Sequence, residues 1–267
     1  MTDLAAQAPL GVVLRTTPLR ESDLLVVLYT DAHGRVTAVA RGARKSQRRF
    51  AGALSLLVLG RYQLGRQPRG ELWSLESAEV VREWTPLSAD VVAVAHASYV
   101  AEVVGGLLPP EVPEPHALEL IVALWETLAA GGPSPGALRA VEIALLDLAG
   151  HRPAIDHCAA CSAVDLEEGA LFDPQRGGAI CRPCAARSRS FGVRPFDPAT
   201  RAYLEAVARL DTPLAARAVD TDPRFSSADR SAGRDALVAM VVSLVGKPLR
   251  SLEYLAKLGA AGRRAKE

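Results

Sequence analysis

Apolar residues fall into two regimes along the chain. Up to about residue 81 they come in short alternating or continuous runs separated by turn residues; beyond it they recur three and four apart, the spacing that gives a helix one apolar face. In the first regime Gly11-Val-Val-Leu-Arg-Thr16 predicts a strand and Asp23-Leu-Leu-Val-Val-Leu-Tyr-Thr30 a second, almost continuously apolar one. After the turn residues Asp31-Ala-His-Gly34, Arg35-Val-Thr-Ala-Val-Ala-Arg41 alternates as a third strand should, and residues 54–64 and 71–76 supply a fourth and a fifth. Five short strands with turn chemistry between them predict a small antiparallel barrel such as an OB-fold; a five-stranded SH3-like barrel fits the same pattern almost as well.

In the second regime residues 90–104 predict a helix capped by Ser88 and ended by Gly105-Gly106. Pro109-Pro-Glu-Val-Pro-Glu-Pro115 cannot remain helical and reads as a stiff connector. Helices over 115–130 and 135–149 carry apolar stripes (Leu118, Ile121, Val122 and Trp125; Leu138, Val141, Leu145, Leu146 and Leu148) that fit a bundle core. Further helices are predicted over 198–210, 228–245 and 249–258, ahead of a loose basic tail, Arg263-Arg264-Ala-Lys266.

Between these helices stand all four cysteines, as Cys158-Ala-Ala-Cys161 and, nineteen residues on, Cys181-Arg-Pro-Cys184. Two Cys-x-x-Cys pairs at this separation can each wrap a knuckle around one ion and meet in a tetrahedral four-thiolate site, so one structural Zn2+ is the economical reading. Four buried thiols or two redox pairs are the bland alternatives, set against cysteine that is paired twice and used nowhere else. His157, beside Cys158, is either a substitute ligand or a spare surface histidine. Phe172-Asp173-Pro174 and Gly177-Gly178 suit a small ribbon hairpin between the knuckles. The whole is an α+β multidomain chain: an OB-fold barrel over residues 1–81, then an all-α helical domain over 82–267 interrupted by a zinc-binding insertion at 156–187. The ribbon reads as a tie between helices and not as a nucleic-acid contact, because only Arg176 and Arg182 are basic between its first and last cysteine.

The formal net charge of +1 argues neither for nor against a polyanionic partner, so the distribution of charge has to carry that argument. From Arg35 to Gly70 there are nine basic residues (Arg35, Arg41, Arg44, Lys45, Arg48, Arg49, Arg61, Arg66 and Arg69) and no Asp or Glu. The densest part, Arg41-Gly-Ala-Arg-Lys-Ser-Gln-Arg-Arg-Phe50, falls between the third and fourth strands, where a loop can present it to phosphates without reading sequence. A solubilising surface run is the alternative, and one-signed charge over that length in a nearly neutral protein weighs against it. Phe50 and Tyr62 are either stacking platforms for unpaired bases or barrel core, and the core has the better claim since a barrel needs aromatics inside.

The first ten residues lack the basic start and apolar core of a signal peptide, and no apolar run approaches the length of a membrane helix, so a cytoplasmic, nucleoid-associated location is expected. No phosphate-binding glycine loop, His-Glu-x-x-His or Gly-x-Ser-x-Gly is present, and His33, His96, His116, His151 and His157 form no spaced cluster. No residue is assigned a catalytic role.

Gly11-Val-Val-Leu-Arg-Thr16, Glu21-Ser-Asp23, Tyr29-Thr30, His33-Gly34-Arg35 and Val39-Ala-Arg-Gly-Ala-Arg44 closely resemble the opening of the bacterial DNA repair protein RecO family of recombination mediators. The likeness is fair at Leu171-Phe-Asp-Pro174, Gly177-Gly-Ala-Ile-Cys-Arg-Pro-Cys184 and Ser251-Leu-Glu-Tyr-Leu255, and weak in the middle helices. The resemblance implies an OB-fold followed by a helical domain with a zinc-binding insertion. It further implies a non-enzymatic, ATP-independent protein that binds single-stranded and double-stranded DNA and anneals complementary strands. With RecR, such a protein helps load RecA onto DNA coated by single-strand-binding protein, whose tail would need a basic-rimmed apolar groove in the helical domain; Arg234, Lys247 and Arg250 are candidate rim groups. A zinc-ribbon RNA-binding factor of translation or transcription is the main alternative class, and a zinc-dependent nuclease or hydrolase the third. Glu21 and Asp23, ahead of the second strand, read as turn carboxylates without chemistry.

Overall fold

The computed structural model describes residues 8–66, 70–166 and 169–264. The chain divides into two compact units, Met1–Gly132 with Tyr254–Glu267, and Pro133–Glu253.

The first unit opens with β1 (Leu10–Pro18), β2 (Leu24–Thr30) and β3 (Gly34–Ala40), then a single helical turn α1 (Gln47–Phe50), β4 (Val58–Arg66) and β5 (Trp73–Glu83). The strands close into a barrel in the order β1-β2-β3-β5-β4, with β4 returning antiparallel to β1 and β3 running parallel to β5. This closure is OB-like, and of the two barrels the pattern allowed it is the one the chain adopts. Alternation places Val13, Val26, Leu28, Val36, Leu75 and Trp73 inside. β5 runs well past residue 76 because its pairing with β4 continues from Trp73 opposite Arg66 to Glu83 opposite Val58. β4 begins only at Val58, since residues 51–57 turn, with positive φ at Ala51 and Leu57.

Three helices follow: α2 (Thr85–Ser88), α3 (Val91–Leu107) and α4 (Pro115–Gly131). Ser88 is not the cap of α3 but the last residue of α2. Asp90 caps α3 instead, its carboxylate accepting the N–H groups of Val92 at 2.8 Å and Ala93 at 3.0 Å. Gly105-Gly106 does not stop the helix either. Packing of α3 on β1 and burial of Leu108 carry the chain one turn further and outweigh the roughly 1 kcal/mol that a mid-helix glycine costs.

The Pro-rich connector between α3 and α4 is bonded to the barrel. Glu111 N–H donates to the Arg35 carbonyl at 2.9 Å, and Arg35 Nε donates to the Leu108 carbonyl at 3.2 Å. Gly34, at φ +61°, leaves room for the Val112 carbonyl, which would lie 2.1 Å from a Cβ at this position.

In the second unit α5 (Pro135–Leu148) is followed by the ribbon: β6 (Leu171–Asp173), β7 (Gly178–Ile180), a turn of helix α6 (Arg182–Ala185) and β8 (Arg194–Pro195), forming a three-stranded sheet in the order β7-β6-β8. Then come α7 (Pro198–Ala208), α8 (Pro213–Ala216) with a 3-10 turn at Arg217–Asp220, and α9 (Ser227–Val245). The buried Ser134 caps α5 and donates to Asp220 Oδ2 at 2.6 Å, while Gly136 N–H donates to Oδ1 at 2.7 Å, which ties the helix start to the 3-10 turn. Tyr203 of α7 packs edge-on against Phe225, and Phe172 of β6 against Phe196. A final helix, α10 (Arg250–Arg264), extends six residues beyond the predicted end at 258, so Arg263 and Arg264 are helical and not part of a loose tail; residues 265–267 lie outside the described residues. No helix among the described residues is long and apolar enough to cross a membrane.

Candidate metal centre and nucleic-acid interface

The first knuckle is a tight turn. Ser162, at φ +61°, donates its N–H to the Cys158 carbonyl at 2.8 Å, and Cys158 N–H donates to Ala163. The second is the start of α6, with Cys181 as its N-cap and Pro183 in the first turn. The ribbon turn between them is held by the buried Asp173 carboxylate, which accepts Gln175 N–H at 3.0 Å, Arg176 N–H at 3.2 Å and the Ser188 hydroxyl at 2.9 Å. Gly178 lets β7 pass the Ala154 backbone, whose carbonyl oxygen a Cβ would meet at 2.4 Å.

These elements bring the Sγ atoms of Cys158, Cys161, Cys181 and Cys184 within 4.8 Å of one another, the one group of His, Cys, Asp or Glu side chains among the described residues that can hold a metal ion. Cys161 and Cys181 sulfurs lie 3.7 Å apart. A tetrahedral ion with metal–sulfur bonds of about 2.3 Å needs sulfurs about 3.8 Å apart, so the four fit one ion and none is disulfide-bonded. Burial opposes ionisation of Cys158, but N–H groups of Cys181, Ala160 and Cys161 aimed at its sulfur prevail and bring the thiol down to about 6. At Cys181 the Cys184 N–H favours the thiolate, yet burial and the other three sulfurs push it up to about 12. A divalent cation relieves that competition, which is the electrostatic sense of gathering four thiols. His157 is outside the cluster, its Nδ1 paired with Asp156 at 2.7 Å.

The basic residues of the barrel separate into two groups. Arg41, Arg44, Lys45, Arg48 and Arg49 are exposed on the β3–β4 loop and α1. That loop is stapled to the β1–β2 loop: Asp23 Oδ1 accepts Gly42 N–H at 2.8 Å, Arg44 N–H donates to the Ser22 carbonyl at 3.0 Å, and Arg44 Nη1 donates to the Glu21 carbonyl at 3.0 Å. Lys45 Nζ lies 3.2 Å from Glu21 Oε1, an exposed and weak pair. The Gly42 N–H, helped by the Ser22 hydroxyl and the nearby Arg20 and Arg41 guanidiniums, holds Asp23 below the usual carboxylate range against the opposing effect of burial.

Arg35, Arg61 and Arg66 are engaged elsewhere. Arg61 Nη1 donates to the Ala8 carbonyl at 3.0 Å, and Arg35 holds the connector. Arg66 forks onto the Glu111 carboxylate at 2.6 and 3.2 Å and stacks over Trp73, whose Nε1 donates to the same carboxylate at 2.8 Å. Arg69 lies outside the described residues. Phe50 and Tyr62 are both core: Phe50 is 3% exposed, and the fully buried Tyr62 donates its hydroxyl to the Ala53 carbonyl at 2.9 Å. Neither has a face to offer a base.

Two family models cover nearly all of this architecture, Recombination protein O N terminal over residues 9–84 and Recombination protein O C terminal over residues 88–253. The chain belongs to the RecO family. The chain is 39% identical over 250 residues to a DNA repair protein RecO of Anaeromyxobacter sp. (strain K), covering 93% of this chain and 95% of the relative. It is 32% identical to a DNA repair protein RecO of Myxococcus xanthus (strain DK1622), covering 93% and 96%, and 30% identical to that of Syntrophus aciditrophicus (strain SB), covering 94% and 96%.

Within this RecO family member, sequence reasoning missed the two carboxylates that organise the basic loop. Glu21 and Asp23 stand some twenty residues before the groups they hold, and only the β2–β3 hairpin brings them together. It also missed Arg20, which the same loop places near Asp23. The acids at 21 and 23 interrupt the positive charge there, so a search for one-signed runs starts too late.

Proposed function

We propose that this protein is a non-enzymatic recombination mediator of DNA repair. It binds and anneals single-stranded DNA, contacts duplex DNA, and with RecR helps load RecA onto DNA coated by single-strand-binding protein. The observation that carries the DNA-binding part is the stapled β3–β4 loop, which offers Arg41, Arg44, Lys45, Arg48 and Arg49 to solvent on an OB-like barrel in a chain of net charge +1. Guanidinium and ammonium groups on a rigid loop meet phosphates without reading bases, and by offsetting phosphate repulsion they let two complementary strands approach. Family membership supports the repair role and the partners. The five on the loop are assigned the grip because they stand exposed together and their bonds stay within the loop and its neighbour, whereas Arg35 and Arg61 are half-buried and Arg66 is clamped by the Glu111 carboxylate and Trp73.

The four-thiolate site holds one structural Zn2+ in this reading, bound by Cys158, Cys161, Cys181 and Cys184. A closed set of four sulfurs leaves no coordination position for a reacting water, so the ion serves folding.

Fluorescence anisotropy of a labelled single strand over a range of salt tests the grip. Changing Arg44, Lys45, Arg48 and Arg49 to Ala should reduce the salt slope by roughly 0.7 for each lost phosphate contact. An unchanged slope assigns the loop to solvation alone. Co-purification with ribosomes in place of strand annealing points instead to an RNA-binding factor.

A further inference from the structure

The ribbon does not end at its last cysteine. β8 pairs with the free edge of β6, Phe172 opposite Arg194, so the segment from Arg182 to Arg194 is the connection between two strands of one small sheet. Counting charge only between cysteines takes in Arg182 but stops short of the ten residues after Cys184. The whole segment holds Arg182, Arg187, Arg189 and Arg194 and no Asp or Glu. Arg194 is bonded to the Gly192 and Asp235 carbonyls, and Arg187 Nη2 lies 3.8 Å from Cys184 Sγ. The side chains of Arg182 and Arg189 make no hydrogen bond or ion pair among the described residues.

In the same segment Phe191 is 84% exposed, more than any other large apolar side chain among the described residues. It borders an open cavity of about 430 Å³ that Pro174 and Gln175 of the ribbon turn share with Val238, Ala239 and Val242 of α9. A pocket built for an apolar peptide would use such a ring as a wall and bury much of it. Here nearly the whole ring is wetted, an aromatic plate two residues along the chain from the exposed, unbonded Arg189, and stacking for a base with cations for its phosphates is the combination by which single strands are held.

We propose that the ribbon is a second single-strand contact, with a base stacked on Phe191 and phosphates met by Arg189 and Arg182. This rests on the nucleic-acid reading of the barrel. The test uses the full chain and a labelled oligothymidine. Phe191→Leu keeps apolar bulk but removes the aromatic face, and should weaken binding about fivefold to tenfold with no change in salt slope. Arg189→Ala should lower the slope by about 0.7. A strand carrying 5-iododeoxyuridine should photo-cross-link to the peptide that contains Phe191. Both side chains are exposed, so unchanged thermal midpoints will show that the variants fold. Wild-type affinity and slope in both variants with no cross-link at Phe191, while the Arg44, Lys45, Arg48 and Arg49 variant still loses its slope, overturns the ribbon contact and leaves the barrel grip standing; that face then belongs to a protein. Absence of strand binding by the wild type overturns both.

Discussion

Asp23 has the wrong charge to meet a phosphate, yet its carboxylate helps decide where the basic loop stands, because it is the side chain of the β1–β2 loop that accepts the N–H of Gly42 at the start of the β3–β4 loop. Two effects of removing it have opposite signs. Losing a negative charge beside cations strengthens phosphate binding; losing the anchor loosens the loop and weakens it. Asp23→Asn keeps an acceptor and removes the charge, so it should bind a single strand at least as tightly as wild type, whereas Asp23→Ala should bind more weakly than Asp23→Asn. Equal affinities of the two variants in the anisotropy titration would show that the anchor does not matter. The pH dependence has a definite sign. The folded pKa of Asp23 is depressed, so the anchor is complete above the ordinary carboxylate value of about 3.9 and is lost as pH falls through the lower folded value. Exchange protection of the Gly42 amide should therefore hold from neutral pH down to about pH 4 and fail only in stronger acid. Gly34 acts by having no side chain. With φ at +61° and the Val112 carbonyl where a Cβ would stand, Gly34→Ala should destabilise the protein by at least about 1–3 kcal/mol from backbone strain alone, read as a lower urea midpoint.

At the scale of elements, the ribbon is the piece that cannot hold itself. Its strands are three, three and two residues long, and the aromatic pair Phe172–Phe196 is a small core for them. Structural zinc sites contribute binding free energies on the order of 10 kcal/mol in small domains, so the ion would be the dominant tie. Cys181→Ser should abolish stoichiometric zinc, read by elemental analysis, and open the ribbon to proteolysis between β6 and β8. Strand affinity should fall at least as far as in Phe191→Leu, because the whole ribbon contact is lost, and the part of the slope owed to the barrel loop should remain. Retention of zinc and protease resistance would count against the four-thiolate site. The cysteine spacing made this centre readable from the chain alone, as the period-two runs did the barrel strands, since both are local patterns. What could not be read depends on meetings across the sequence. Arg35 looks like any other member of a basic run until the Leu108 carbonyl, 73 residues away, arrives beside it, and Arg66 until Glu111 does, 45 residues on. β8, two residues long, carries no pattern at all. Gly105-Gly106 read as a stop because glycine's cost is local, while the packing that overrides it is not.

For the whole molecule, 31 basic against 30 acidic residues leave almost no net field beyond the Debye length, about 8 Å at physiological salt. Attraction to DNA then depends on where charges stand and whether they are already spent, not on their sum. Arg66 and Arg48 make the contrast testable, since each removes one positive charge from the same barrel. Arg66 is committed to Glu111 and Trp73, and the hydrogen bonds of Trp73 and Arg66 keep the Glu111 carboxyl below its ordinary range. Arg66→Ala should lower the melting temperature by a few degrees by freeing the connector from the barrel, with no change in the salt slope of strand binding. Arg48, exposed on α1, should behave in the reverse way, with an unchanged melting temperature and a slope smaller by roughly 0.7. A slope that falls equally in both variants would mean that DNA responds to total charge and that the division of the basic residues into those held against the Pro-rich connector and those displayed on the β3–β4 loop has no functional meaning.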